Sequence, residues 1–220
     1  MEVLFCTSSI DAEVSRLLSR LASVFDVKFT LVSNVNDLNK IKPAKFDLLI
    51  SDRNSIIFSR AQLEKFPLGI NTHPSLLPSH KGSYPIFWSC IFNDTWGVTL
   101  HYLSEQIDQG PVISSVEIDY SEDETFRGLY SRYRAAVGFL LYEFMEHIRS
   151  DNDLVSRVTD RKGLTSHFNG NFSHKKRFTE SLVKQLPNGW DTNIKTAKRI
   201  LEKDIESYLA RARKLSEIDI

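Results

Sequence analysis

The sequence predicts an α/β fold: a Rossmann-like, mostly parallel sheet with helices on both faces, plus a small C-terminal appendage ending in a helix. Three observations predict it. Short apolar runs alternate with helical periodicity up to His73, the order that gives parallel strands joined by crossovers. A single long amphipathic stripe covers Phe126 to Ile148. After Ser150 the chain turns polar, and a regular apolar pattern resumes only from Thr192.

Taken in order, Val3 to Cys6 is a buried strand, and Thr7-Ser8-Ser9 and Asp11 supply capping residues for a helix. Val14, Leu17, Leu18, Leu21, Ala22 and Phe25 recur at helical spacing over Ala12 to Phe25. Val27 to Val32 is the second strand, and Asn34 to Lys45 a weakly helical link. Phe46 to Ser51 is the third strand, Ala61 to Phe66 at best a short helix, and Leu68 to His73 the fourth strand. Tyr84 to Phe92 reads as helix, and Val98 to Leu103 and Pro111 to Ile118 as strands. Residues Asp151 to Asp191 read as polar and irregular, punctuated by Gly163, Gly170, Pro187 and Gly189. Ala197, Ile200, Leu201, Ile205, Tyr208, Leu209, Ala212 and Leu215 then mark an amphipathic helix. Its stripe fits either a homodimer contact or a fold back onto its own subunit.

Composition narrows the function classes. The 220 residues carry 28 basic and 28 acidic side chains, with 41% hydrophobic and 25% charged residues. A chain of this length buries roughly 70% of its unfolded surface, enough for a core without staples. Zero net charge argues against bulk nucleic-acid or membrane-surface binding. Residues 151–220 hold 14 basic against 10 acidic residues, a mild surplus that a solvated surface accommodates. Two cysteines, Cys6 and Cys90, are too few for a disulfide scaffold or a cysteine zinc site. No run approaches ~18 apolar residues, and the N-terminus has no basic flank, so a cytoplasmic location without membrane contact is expected.

The chemistry concentrates in Gly69-Ile70-Asn71-Thr72-His73-Pro74-Ser75-Leu76-Leu77-Pro78-Ser79-His80-Lys81-Gly82. Asn71 and His73 stand two apart at a strand end, so amide and imidazole point to the same face. They lie where an open α/β sheet places its ligand crevice, beyond the carboxyl ends of its strands. Pro74 and Pro78 stop the strand and stiffen the loop. Asp108, in Ile107-Asp108-Gln109-Gly110, lies between two strands and reaches His73 if those strands adjoin. Taken singly, a strand-end Asn is a common turn former and a lone His an ordinary core or surface residue.

Together these residues resemble the folate-dependent formyltransferase family. The matching stretches are Asn71-x-His73-Pro74-Ser75-Leu76-Leu77-Pro78 with Gly82, then Gly97-Val98-Thr99-Leu100-His101, then Asp108-x-Gly110-Pro111-Val112-Ile113. The resemblance is clear over 46–115 and holds in outline over the rest of 1–150, which it marks as the catalytic domain, with 151–220 as an extension. It implies that Asn71, His73 and Asp108 form the catalytic trio. It also implies that N10-formyltetrahydrofolate is the formyl donor and that no metal is used. Asn71 would donate to the oxygen that gains charge, His73 would act as base or donor, and Asp108 would favour the imidazolium. The pterin would sit beside the trio, against Ile107, Asp108 and the loop after the third strand, with Asn54, Ile56 and Ile57 as contacts. Core packing is the alternative for the two isoleucines. A cis peptide at Leu77–Pro78 is implied as well.

Three acceptors compete within the family. Methionyl-tRNA formyltransferases carry a further nucleic-acid-binding domain. Glycinamide ribonucleotide transformylases carry a glycine-rich phosphate loop, whereas Cys6-Thr7-Ser8-Ser9-Ile10-Asp11 holds no glycine. The stretch Gly82-Ser83-Tyr84-Pro85-Ile86-Phe87-Trp88 is most like the sugar-nucleotide N-formyltransferases. Nucleotide-linked amino sugars, such as dTDP-4-amino-4,6-dideoxyglucose for lipopolysaccharide or O-antigen synthesis, are therefore the expected partners. Lys81, Gly82, Tyr84 and Trp88 are the expected contacts, with core packing the alternative for Trp88. Lys81 stands where the family often has Arg, which weakens any bidentate role. The cations and aromatics between Ser166 and Phe178 suit a nucleotide diphosphate and its base, with a solvated loop as the alternative. A folate-binding module without turnover is the reading from another class.

Overall fold

The computed structural model describes residues 1–150 and 172–216. Six strands form one sheet: β1 (Glu2–Cys6), β2 (Lys28–Val32), β3 (Leu48–Asp52), β4 (Gly69–His73), β5 (Gly97–Tyr102) and β6 (Val112–Glu117). Their order is β2-β1-β3-β4-β5-β6. The first four run parallel, and β5 and β6 are antiparallel to their neighbours. The residues between Tyr102 and Val112 are too few for a crossover helix, so β6 returns as the antiparallel partner of β5.

Strand alternation builds two cores. Val3, Phe5, Leu48 and Ile50 face one cluster, while Leu4, Cys6 and Leu49 face the other. The first and larger cluster is covered by α1 (Ala12–Phe25), α4 (Pro85–Phe92) and α5 (Phe126–Arg149). The second lies under the short α2 (Val35–Leu38), a 3-10 turn at Pro43–Lys45 and α3 (Arg60–Leu63). Asp11 starts α1 by accepting hydrogen bonds from the N–H groups of Glu13 and Val14. Thr125 caps α5 in the same way through Gly128 N–H.

The C-terminal part differs from the sequence expectation. Residues read as irregular include a helix, α6 (Phe172–Val183). It is followed by a 3-10 turn at Gly189–Asp191 and by α7 (Ile194–Ser216). Periodicity misses α6 because buried positions such as Lys175 and Thr179 are polar and satisfied by hydrogen bonds. Leu182, Leu186, Ile194, Ala197, Leu201 and Ile205 join the larger core. The α7 stripe thus folds back on its own subunit. Its last two expected positions, Ala212 and Leu215, lie outside the described side chains, and 166–171 of the polar tail lie outside the described residues. No helix among the described residues is long and apolar enough to cross a membrane.

Candidate active site

The parallel strands end on one edge of the sheet. Between β1 and β3 the winding direction reverses, and a crevice opens at such a point. A cavity of about 810 Å³ lies here. Its walls include Ser8 after β1, Arg53 to Phe58 after β3, Asn71 and His73 on β4, and Ile107 and Asp108 between β5 and β6.

The three expected polar groups converge. Asn71 and His73 share one face of β4, and the antiparallel β4–β5 pairing brings the turn after β5 against them. Asp108 Oδ2 lies 3.3 Å from His73 Nδ1, and Asp108 Oδ1 accepts from Asn71 Nδ2 at 3.5 Å. Two glycines permit this. Gly82, at φ 81°, adopts a left-handed conformation and donates its N–H to Asp108 Oδ2 at 2.7 Å. Gly110 passes so close to β5 that a Cβ there would stand 1.7 Å from the Tyr102 carbonyl oxygen. The Leu77–Pro78 peptide is cis.

His73 is buried and faces acceptors on both sides. Its Nε2 lies 3.1 Å from the His80 carbonyl oxygen, and its Nδ1 faces Asp108. A neutral ring satisfies one of these acceptors; the imidazolium satisfies both. Burial nevertheless dominates and holds the imidazole below its ordinary value, although Asp108 pulls it upward. Burial works against charge on Asp108 as well. There the attraction of His73 and the bond from the Gly82 N–H prevail and hold the carboxyl at about 2.

The sequence alone gives His101 no role, although it stands within a matching stretch. His101 lies directly opposite Asn71 in the β4–β5 ladder. A carbonyl only accepts, so the 2.8 Å contact of His101 Nδ1 with Tyr102 O makes Nδ1 the donor. Nε2 is then a lone pair, and it accepts from Asn71 Nδ2 at 2.9 Å. His101 therefore aims the Asn71 amide. One amide hydrogen is well bonded, and the other makes only the 3.5 Å contact with Asp108. That second hydrogen is the one available to a ligand.

The other expected contacts divide. Asn54, Ile56 and Ile57 line the cavity, as does Ile107. Ile57 is exposed, but the Ile56 N–H is already taken by Asn54 Oδ1 at 3.1 Å. The Asn54 side-chain Nδ2 is buried without a protein partner, so a donor is left over at the cavity wall. Gly82 and Tyr84 line the cavity too. Trp88 does not: it is fully buried, stacked on Phe92 and Phe178, and donates Nε1–H to Thr179. Its expected substrate contact is corrected to core packing, because its indole is fully buried among aromatic rings and lies outside the cavity wall. The Lys81 side chain is likewise absent from the cavity wall. In the basic stretch of the polar tail, Lys175 and Phe178 point into the protein and Lys176 reaches the cavity. Trp190 and Arg127, which no sequence pattern singles out, complete that wall. Trp190 stacks on Tyr84 with centroids 5.4 Å apart.

A family model described as "Formyl transferase" matches residues 30–143. The chain belongs to the formyl transferase family. Within the family, it is 38% identical over 97 residues to a methionyl-tRNA formyltransferase of Syntrophus aciditrophicus, covering 43% of this chain and 30% of that protein. It is 29% identical over 151 residues to the bifunctional polymyxin resistance protein ArnA of Wigglesworthia glossinidia brevipalpis, covering 68% of this chain and 22% of that one. The chain thus spans less than a third of the length of these curated relatives. Among solved structures, the formyltransferase PseJ of Anoxybacillus kamchatkensis matches with a TM-score of 0.69 at 24% identity. That match covers 90% of this chain and 97% of PseJ, whose structure holds UDP-4,6-dideoxy-4-formamido-L-AltNAc and tetrahydrofolate. At this identity the likeness shows the fold.

Proposed function

We propose that the chain transfers a formyl group from N10-formyltetrahydrofolate to the amine of a nucleotide-linked amino sugar. The observation that carries this reading is one continuous cavity. It joins the Asn71–His73–Asp108 cluster to a wall of stacked aromatics, Tyr84 and Trp190, with Lys176 and Arg127 beside them. Aromatic faces suit a base or sugar ring, and cations suit a diphosphate. The leftover Asn54 amide suits a pterin carbonyl at the other end. The balance of 28 basic and 28 acidic residues disfavours a tRNA, whose binding rests largely on neutralised phosphates. The PseJ likeness, spanning 90% of this chain, also supports the reading.

In the reaction a bond forms from the acceptor nitrogen to the formyl carbon. The bond from that carbon to N10 breaks, and the proton shed by the amine ends on N10. Asn71 turns its weakly held hydrogen to the formyl oxygen as that oxygen gains charge; losing such a donor costs about 3–4 kcal/mol. His73 rests neutral and gains proton affinity as negative charge develops beside it. Both ring nitrogens already face protein oxygens, so a proton reaches the ring along the Asp108 side. An anionic pair then becomes a neutral His73–Asp108 pair, the cheaper arrangement to bury.

The test mixes the chain with N10-formyltetrahydrofolate and a panel of nucleotide-linked amino sugars, including dTDP-4-amino-4,6-dideoxyglucose. Methionyl-tRNA and glycinamide ribonucleotide run alongside. Absorbance of released tetrahydrofolate should rise with a sugar nucleotide, and His73→Ala should slow it at least about 100-fold. Turnover confined to methionyl-tRNA or the ribonucleotide overturns the acceptor. Folate binding without formyl release from any mixture overturns catalysis. With a sugar acceptor, the chain takes a place in lipopolysaccharide or O-antigen synthesis.

A further inference from the structure

Lys175 is almost completely buried, at 1% exposure, on a helix outside the strand-end cluster. An ammonium taken out of water needs strong compensation. Its Nζ donates to the Lys81 carbonyl oxygen at 2.8 Å. The other end of that same peptide group is the Gly82 N–H, which donates to Asp108 Oδ2 at 2.7 Å. A peptide unit is planar, so its oxygen and its hydrogen are fixed relative to each other. A cation on the oxygen and a carboxylate on the hydrogen polarise the unit in the same sense, and each bond strengthens the other. Asp108 Oδ2 is also the oxygen facing His73 Nδ1.

We propose that Lys175 is a positioning residue for the formyl transfer: through the Lys81–Gly82 peptide it holds the Asp108 carboxylate against His73. The proposal rests on the formyl-transfer reading of the site. It gives α6 a task in the chemistry beyond covering the core. It also accounts for a lysine at a core position, because an apolar side chain of similar length would leave the Lys81 carbonyl without this bond. Burial holds the Lys175 ammonium down at about 8, against the pull of Asp108.

The experiment compares Lys175→Met and Lys175→Gln, in the full chain, with wild type and with Asp108→Asn. Thermal unfolding first establishes that each variant folds. Lys175→Met should lower kcat at least about tenfold while changing KM for the formyl donor less than about threefold. In the Asp108→Asn background the same substitution should cost less than about twofold, because the group it positions is gone. An equal loss in both backgrounds, or no loss at all, overturns the proposal. If neither Lys175 variant folds, Lys175 serves folding and the proposal falls.

A second readout needs no turnover, so it separates failure of the proposal from failure of the assigned reaction. The titratable and charged groups facing His73 are Asp108 from the β5–β6 turn, His101 from β5 and Lys175 from α6. Removing the Lys175 charge alone would raise the His73 pKa; releasing Asp108 would lower it. The His73 ring titration, followed by NMR, should therefore move to lower pH in Lys175→Met. A rise or no movement overturns the positioning role, whatever the acceptor proves to be.

Discussion

Replacing Asp108 by Asn removes one charge and keeps the side-chain shape. The carboxylate accepts the Gly82 N–H at 2.7 Å and lies 3.3 Å from His73 Nδ1 and 3.5 Å from Asn71 Nδ2. These neighbours hold its pKa at about 2 against an ordinary 3.8. A gap of nearly two units corresponds to about 2 kcal/mol favouring the charged form in the folded chain. A depressed carboxylate pKa stabilises the fold above the unfolded value near 4. That contribution fades as the pH falls toward 2. Asp108→Asn should therefore lower stability by about 2 kcal/mol at pH 7, a drop of roughly 4–8 °C in Tm for a chain of this size. By pH 3 the difference should shrink to about 1 kcal/mol. Urea unfolding followed by circular dichroism between pH 7 and pH 3 measures both quantities. Turnover should fall at least about 100-fold, because His73 loses its partner. Equal stability at pH 7, or a deficit that does not narrow in acid, would refute the electrostatic account of the cluster.

Two further substitutions test the division between cavity wall and core. Trp88→Ala should cost about 3–5 kcal/mol in unfolding free energy, since it empties a fully buried site and strips Thr179 of its indole partner. KM for either substrate should stay at the wild-type value in protein kept folded at low temperature; a raised KM with intact stability would return Trp88 to the pocket. Asn54→Asp keeps the oxygen that caps Ile56 and replaces the leftover donor by an acceptor. Affinity for the formyl donor, measured by fluorescence titration, should fall roughly tenfold, the worth of about one hydrogen bond, with little change in Tm. Unaltered affinity would remove Asn54 from the donor site.

Much of the sheet is legible in the sequence because its strands are short apolar runs between breakers. Val3 to Cys6 and Phe46 to Ser51 have few competing readings beside capping and turn residues. The antiparallel pairing of β5 with β6 is legible in principle from their short link, which is a loop-length argument rather than a periodicity one. Helix α6 is not legible. It presents Lys175 and Thr179 to the interior, and their burial depends on a carbonyl from a distant loop and on the indole of Trp88. Hydrophobic periodicity registers apolar atoms and passes over a polar side chain whose partner comes from elsewhere in the chain.

The site divides along the same line. Asn71 and His73 are legible as a pair because a period of two puts them on one face wherever the strand lies. Asp108 emerges only from a motif, since nothing local says which strands adjoin. His101 is fixed by cross-strand register, and Lys175 by the packing of α6 against the loop that ends at Gly82. The proposed reacting pair is thus encoded by local spacing, whereas the groups proposed to aim it are encoded by tertiary contact. This division predicts unequal effects of mutation. If the proposed mechanism holds, changes at Asn71 or His73 strike the reacting groups themselves, while changes at His101 or Lys175 act by letting an amide or a carboxylate move. A displacement of even 1 Å at a reacting group costs on the order of 100-fold in rate. Sequence motifs alone will therefore underestimate how much of the molecule the reaction uses.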